Sequence, residues 1–117
     1  MRSYFLLLVL ATSRKATSLI TIPAELSQGI YVFQNSCASC HIGGSNVIAK
    51  ERSLTKEALE TFIGLEDSED ISNFIENSRL HRGALAFRGN LNDKDIADVS
   101  TYVYRQAVEE KWSSTSD

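Results

Sequence analysis

Apolar residues recur along most of this chain at spacings of three and four, the period of an α-helix. Leu26, Ile30 and Phe33 stand at i, i+4 and i+7 and predict a first helix ending just before Cys37. Leu59, Phe62 and Ile63 form the inward stripe of a second helix over about residues 55–63. Ile71, Phe74 and Ile75 mark a third, over about 67–78, with Asp67 or Ser68 as N-cap and acids in the first turn, where the helix dipole favours them. The last helix is the clearest. Asn92 is a good N-cap, Asp93 and Asp95 occupy the first turn, and Ile96, Val99, Val103 and Ala107 continue the stripe to about Trp112. The alternation of a strand never persists. Residues 42–53, opened by Gly43-Gly44, and 79–91, with Gly83 and Gly89, read as irregular. The pattern predicts an all-α fold of about four short helices, too few to bury a large core unless something central helps them pack.

The N-terminal stretch departs from this pattern. Arg2 precedes a short apolar run, Tyr4 to Ala11, which matches a signal peptide and is too short to span a bilayer. We read residues 1–23 as a signal or targeting segment and 24–117 as one domain, with cleavage near Ile22-Pro23-Ala24. Arg14 and Lys15 lie just beyond the apolar run, as in a bipartite targeting segment. The division changes the charge. The whole chain carries −3, but Arg2, Arg14 and Lys15 all lie in the leader, leaving 9 of the 12 basic residues against all 15 acids, a net of −6. A domain of that sign is a poor binder of nucleic acid. It suits a protein that meets its partners through local patches.

The chemistry lies in Cys37-Ala38-Ser39-Cys40-His41, a C-x-x-C-H sequence and the signature of c-type haem attachment. Two thiols one helical turn apart can add to the two vinyl groups on one porphyrin edge. The adjacent imidazole then lies where it can bind the iron. A thioredoxin-type C-x-x-C belongs in a βαβ unit, and no such pattern is present. Zinc needs about four ligands. Cys37, Cys40, His41 and His81 supply the number, but adjacent Cys40 and His41 cannot easily take two corners of one tetrahedron. A disulfide between Cys37 and Cys40 is the plain alternative for an exported protein; the favoured site is one covalent haem c bound through Cys37 and Cys40, with His41 as proximal ligand to the iron and no catalytic residue.

The wider sequence resembles cytochrome c6, the photosynthetic class I c-type cytochrome of algae and cyanobacteria. The resemblance rests on Gly29-x-x-x-Phe33 ahead of the haem motif and on Gly43-Gly44-x-Asn46-Val47-Ile48 after it. It continues through Leu54-x-Lys56-Glu57-Ala58-Leu59, Ser68-Glu69-Asp70, Ala86-Phe87 and Asp98-Val99-x-x-Tyr102-Val103 to Lys111-Trp112. It implies the class I cytochrome c fold, with terminal helices crossing beside a haem that exposes one edge. Gly29 would permit close approach there, and Phe33 and Tyr102 would pack at the crossing. It also implies a one-electron carrier, not an enzyme, working between a cytochrome b6f-type complex and photosystem I. The setting would be a plastid thylakoid lumen or, alternatively, a bacterial periplasm. The protein would be a monomer that binds redox protein partners and associates with membrane at most peripherally.

One departure stands out. The family's second axial ligand is a methionine in a segment like Ala-Met-Pro-Ala-Phe, and here the matching stretch is Gly83-Ala84-Leu85-Ala86-Phe87. Ala84 or Leu85 occupies the ligand position, and the single methionine of the chain is Met1. The family's proline in the loop after the haem motif is also replaced, by Lys50. Three distal arrangements stay open: an iron left open or bound to water behind Leu85 and Phe87, ligation by His81, or ligation by Lys50. An open iron would point instead to a ligand-binding haem protein with weak peroxidase-like activity. A domain that had ceased to shuttle would be a docked subunit of a photosynthetic membrane complex. Seven acids, Glu57, Glu60, Glu66, Asp67, Glu69, Asp70 and Glu76, crowd the second and third helices. Arg79, His81, Arg82 and Arg88 surround the altered segment. Such patches steer docking by long-range complementarity.

Overall fold

The computed structural model describes residues 22–81 and 91–112, all helix, turn and loop with no strand among them. Helix α1 runs Ala24–Val32 behind Pro23, whose fixed φ of −55° suits a helix start and whose carbonyl accepts from the N–H groups of Leu26 and Ser27. The chain does not stop before Cys37, as the apolar spacing predicts. It passes through a π-helical turn, Phe33–Cys37, into a single helical turn α2, Ala38–His41. The wider turn ends the regular α1 stripe at Phe33 and lets Cys37, Cys40 and His41 leave one coil toward a common side, a recurrent use of π-bulges at functional sites.

Residues 42–53 hold two 3-10 turns, Ile42–Gly44 and Lys50–Arg52, within otherwise irregular chain. Asn46 organises the stretch between them. Its Oδ1 accepts from the N–H groups of Ile48 and Ala49 at 2.9 and 2.8 Å, and its Nδ2 donates to the Arg52 carbonyl at 3.0 Å. Helix α3, Lys56–Ile63, is capped by Thr55 Oγ1, which accepts from Ala58 N–H. It ends in a left-handed glycine cap: Gly64 takes φ +65° and its N–H donates to the Glu60 carbonyl, while the N–H of buried Leu65 donates to the carbonyl of buried Leu59.

Helix α4, Ser68–Asn77, opens with a capping box between Asp67 and Asp70, so Asp67 and not Ser68 is its cap. Residues 79–81, expected to be irregular, are helical. Helix α5, Asp93–Arg105, opens with the expected cap at Asn92, in a capping box with Asp95. A second π-helical turn, Gln106–Glu110, extends it before Lys111 and Trp112 turn into left-handed backbone.

The core is Val32, Phe33, Leu59, Leu65, Ile71, Val99, Val103 and Ala107, contributed by α1, its π turn, α3, the turn after it, α4, α5 and the second π turn. Its centre is the crossing of α1 and α5, the most extensively packed pair of elements. Gly29 makes that crossing possible: a Cβ there would collide with the Asp98 carbonyl oxygen and lie 2.9 Å from Tyr102 Cβ. Beside it Phe33 and Tyr102 meet edge to face, ring centres 5.4 Å apart, as expected. Trp112 completes the cluster at 5.4 Å from Phe33 and 6.0 Å from Tyr102. Its Nε1 donates to the Leu54 carbonyl at 2.7 Å, and Leu54 N–H in turn donates to the Gly44 carbonyl at 2.7 Å. Trp112 thus clamps the loop that follows the cysteine motif. No helix among the described residues is long and apolar enough to cross a membrane.

Candidate haem site

A cavity of about 640 Å³ opens between the cysteine motif, the 46–54 loop, α3, α4, the 78–81 segment and one face of α5. Cys37, Cys40 and His41 all line it. Helical spacing puts the two cysteines one turn apart on the wall, the separation that two vinyl groups of one porphyrin edge require. The three residues singled out by the C-x-x-C-H pattern are therefore brought to one site.

His41 is held in one orientation. Its Nδ1 lies 2.8 Å from the Ser45 carbonyl oxygen, which can only accept, so Nδ1 is the donor in that bond and Nε2 is the ring nitrogen left for a metal. A hydrogen bond from the far ring nitrogen is the usual way in which proteins orient a metal-binding histidine. The Ser45 carbonyl is itself positioned, because Ser45 N–H and Oγ both donate to the Ile42 carbonyl, at 2.9 and 2.6 Å.

The cavity walls are apolar beyond what an open surface tolerates. Ile48 and Leu80 are each 66% exposed, Phe62 40% and Phe74 38%, and all four line the cavity. Large exposed side chains gathered in one concavity mark a binding site. The volume falls in the range of cofactor pockets, roughly 300–1,000 Å³. The stripes read as helix cores, Leu59, Phe62 and Ile63 on α3 and Ile71, Phe74 and Ile75 on α4, are largely the walls of this cavity. A large flat apolar group with two reactive edge carbons fits such a site. Zinc does not: among the described residues no three Cys, His, Asp or Glu side chains converge as ligands.

His81 also lines the cavity. Its ring centre stands 6.3 Å from that of His41 with 28° between the planes, and Phe74 packs edge-on against it at 5.7 Å. His81 Nδ1 is buried and has no hydrogen-bond partner, an unsatisfied state costing about 1–3 kcal/mol. Burial first, and the neighbouring His41 second, hold its pKa below the usual histidine range, so the ring is neutral at pH 7. Lys50 is exposed and is not part of the cavity lining. Ala84, Leu85, Phe87, Arg82 and Arg88 lie outside the described residues. Arg79 lines the cavity. So does Arg52, whose guanidinium sits 4.5 Å above the Phe62 ring. Sequence reasoning missed Arg52, which lies in a loop where no periodicity assigns a direction.

Known proteins similar to this chain are cytochromes. The profile of the family described as "Cytochrome C oxidase, cbb3-type, subunit III" matches residues 24–103. The chain is 41% identical over 91 residues to cytochrome c6 of Tetradesmus obliquus, covering 76% of this chain and 99% of that one. It is 40% identical over 85 residues to cytochrome c6 of Parathermosynechococcus lividus, covering 73% and 94%. Among solved structures, cytochrome c6 of the diatom Phaeodactylum tricornutum superimposes with a TM-score of 0.63 at 34% identity, covering 74% of this chain and 97% of that one. Reduced cytochrome 6A of Arabidopsis thaliana gives a TM-score of 0.65 at 26% identity, covering 74% and 96%.

Proposed function

Since the chain belongs to the cytochrome c6 family, we propose that its haem is held by Cys37, Cys40 and His41 and relays single electrons from a cytochrome b6f-type complex to photosystem I in the thylakoid lumen. The protein is a haem-binding electron carrier of photosynthesis with one covalent haem c, and not an enzyme. The observation that carries the residue assignment is the cavity into which both cysteines and His41 project and over which Ile48, Phe62, Phe74 and Leu80 lie uncovered.

The haem supplies an iron that changes charge by one unit. The chain supplies the rest. Cys37 and Cys40 would hold one edge of the group through thioether bonds, and the His41 ring, steered by Ser45, would present Nε2 to the metal. The apolar walls exclude water, which lowers the solvent rearrangement that a change of charge demands. Residues 1–23 act as the export signal, after which the remaining net charge of −6 favours partners with basic docking patches.

The test is flash-induced oxidation of photosystem I in lumen-side preparations, with the purified holoprotein as the sole donor. Re-reduction should follow its concentration and vary with ionic strength. The protein should wash free of membranes at moderate salt, and its N-terminus should begin near residue 24. No re-reduction at any salt concentration would rule out the acceptor. A midpoint potential too low for reduction by the cytochrome complex would rule out the donor.

A further inference from the structure

We infer that His81 is the second protein ligand of the haem iron, so that the metal is held between two imidazoles. This rests on the attachment of haem at Cys37, Cys40 and His41 and deepens that reading.

Donor chemistry narrows the choice. The only methionine is Met1, in the leader, and residues 82–90 contain no Met, His, Cys or Lys. Of the described side chains lining the cavity, Arg52 and Arg79 offer guanidinium donors with no acceptor lone pair and cannot coordinate. Asn46 has both side-chain ends committed to the backbone. Cys37 and Cys40 are taken by the porphyrin edge, and Lys50 is not in the lining. His81 is the remaining nitrogen donor.

Geometry agrees. An imidazole–metal bond to a first-row ion is about 2 Å, and a ring nitrogen lies roughly 1 Å from its ring centre, so two rings sharing one ion have centres about 6 Å apart. The observed separation of His41 and His81 is 6.3 Å, which matches the spacing of two rings on a shared metal. Both nitrogens of a ring are equally far from its centre, so the match does not depend on which one binds. The rings are within 28° of parallel. His81 already sits in the wall against Phe74, and its buried Nδ1 has no partner. No swing of a solvated loop is needed to deliver it.

The consequence is a potential below that of His/Met relatives, because a methionine ligand raises it. Donation to an oxidised photosystem becomes more favourable, and acceptance from the cytochrome complex less so.

The experiment uses the full chain matured in a host that attaches haem, studied by optical and electron paramagnetic resonance spectroscopy with potentiometry. The parent should be low-spin when ferric and lack a methionine–iron charge-transfer band. His81→Ala should become high-spin. It should bind added imidazole roughly 100-fold more tightly than the parent and return to low spin, since the parent must first release its own ligand. His81→Met should be low-spin with the charge-transfer band and a raised potential, and Lys50→Ala should match the parent. A high-spin parent, a His81→Ala variant that stays low-spin, or a spin change in Lys50→Ala would each overturn the inference. Absence of covalent haem by pyridine haemochrome assay would overturn the attachment reading as well. A low-spin parent that fails to re-reduce photosystem I would overturn only the assignment of partners.

Discussion

Gly29→Ala puts two physical effects in direct opposition. Helix propensity alone favours the substitution, because alanine inside a helix is better than glycine by up to about 1 kcal/mol. The crossing opposes it. The new methyl would meet the Asp98 carbonyl oxygen and come within 2.9 Å of Tyr102 Cβ, and neither atom is the yielding end of a flexible side chain. Relief requires α1 to lift off α5, which disturbs the Phe33–Tyr102 contact and the cavity wall behind it. Forcing one extra carbon into a packed contact costs about 1–3 kcal/mol, and more where backbone must move. The net expectation is a loss of about 1–2 kcal/mol, or a fall in melting temperature of about 5–10 °C for a domain of this size. Ser27→Ala, at an exposed position of the same helix, isolates propensity and should change stability by less than about 0.5 kcal/mol. Thermal and denaturant unfolding of the haem-loaded proteins, followed by circular dichroism, measures both. A Gly29→Ala variant as stable as the parent would refute the close crossing.

Three other outcomes are expected. Trp112→Phe keeps most of the ring but deletes the Nε1 donor to Leu54, and should cost about 1 kcal/mol in denaturant unfolding. Asn46→Ala removes three hydrogen bonds to the loop that lines the cavity; it should cost about 1–2 kcal/mol and speed proteolysis within residues 46–52, read by mass spectrometry. Asp70 accepts from the N–H groups of Asp67 and then Glu66, which hold its pKa below the usual carboxylate range. Its contribution is thus present above the unfolded-state value and lost as pH falls through the lower folded-state value. Asp70→Asn should remove that part of the acid-side decline, seen as a shallower dependence of melting temperature on pH below about 4.

Much of this protein is legible in its sequence because the relevant signals are local. Capping at Asn92, the helical stripes and the C-x-x-C-H spacing each depend on residues within a turn or two of one another. The same is true of Asp67, although Ser68 beside it is an equally good candidate until the reciprocal bond from Asp70 is seen. The motif names the haem, and the neighbouring sequence names the family. What local signals could not give is direction. Periodicity marks Phe62, Ile71 and Phe74 as apolar faces, but a face that packs on another helix and a face that lines a cavity have the same spacing. The continuation of the first helix into the motif was hidden for a similar reason: a π turn leaves no mark in composition.

The distal side of the haem shows the division most clearly. The sequence by itself determined what is missing, since the chain's single methionine is Met1 and the segment that matches the family's ligand loop has none to offer. Only the tertiary structure points to what would stand in its place. His81 is 40 residues from His41, and no spacing rule links them. Their rings come within 6.3 Å because α3, α4 and α5 enclose one cavity and the chain after α4 turns back into its wall. Coordination depends on where lone pairs point in space, and that is set by packing between elements far apart in the chain.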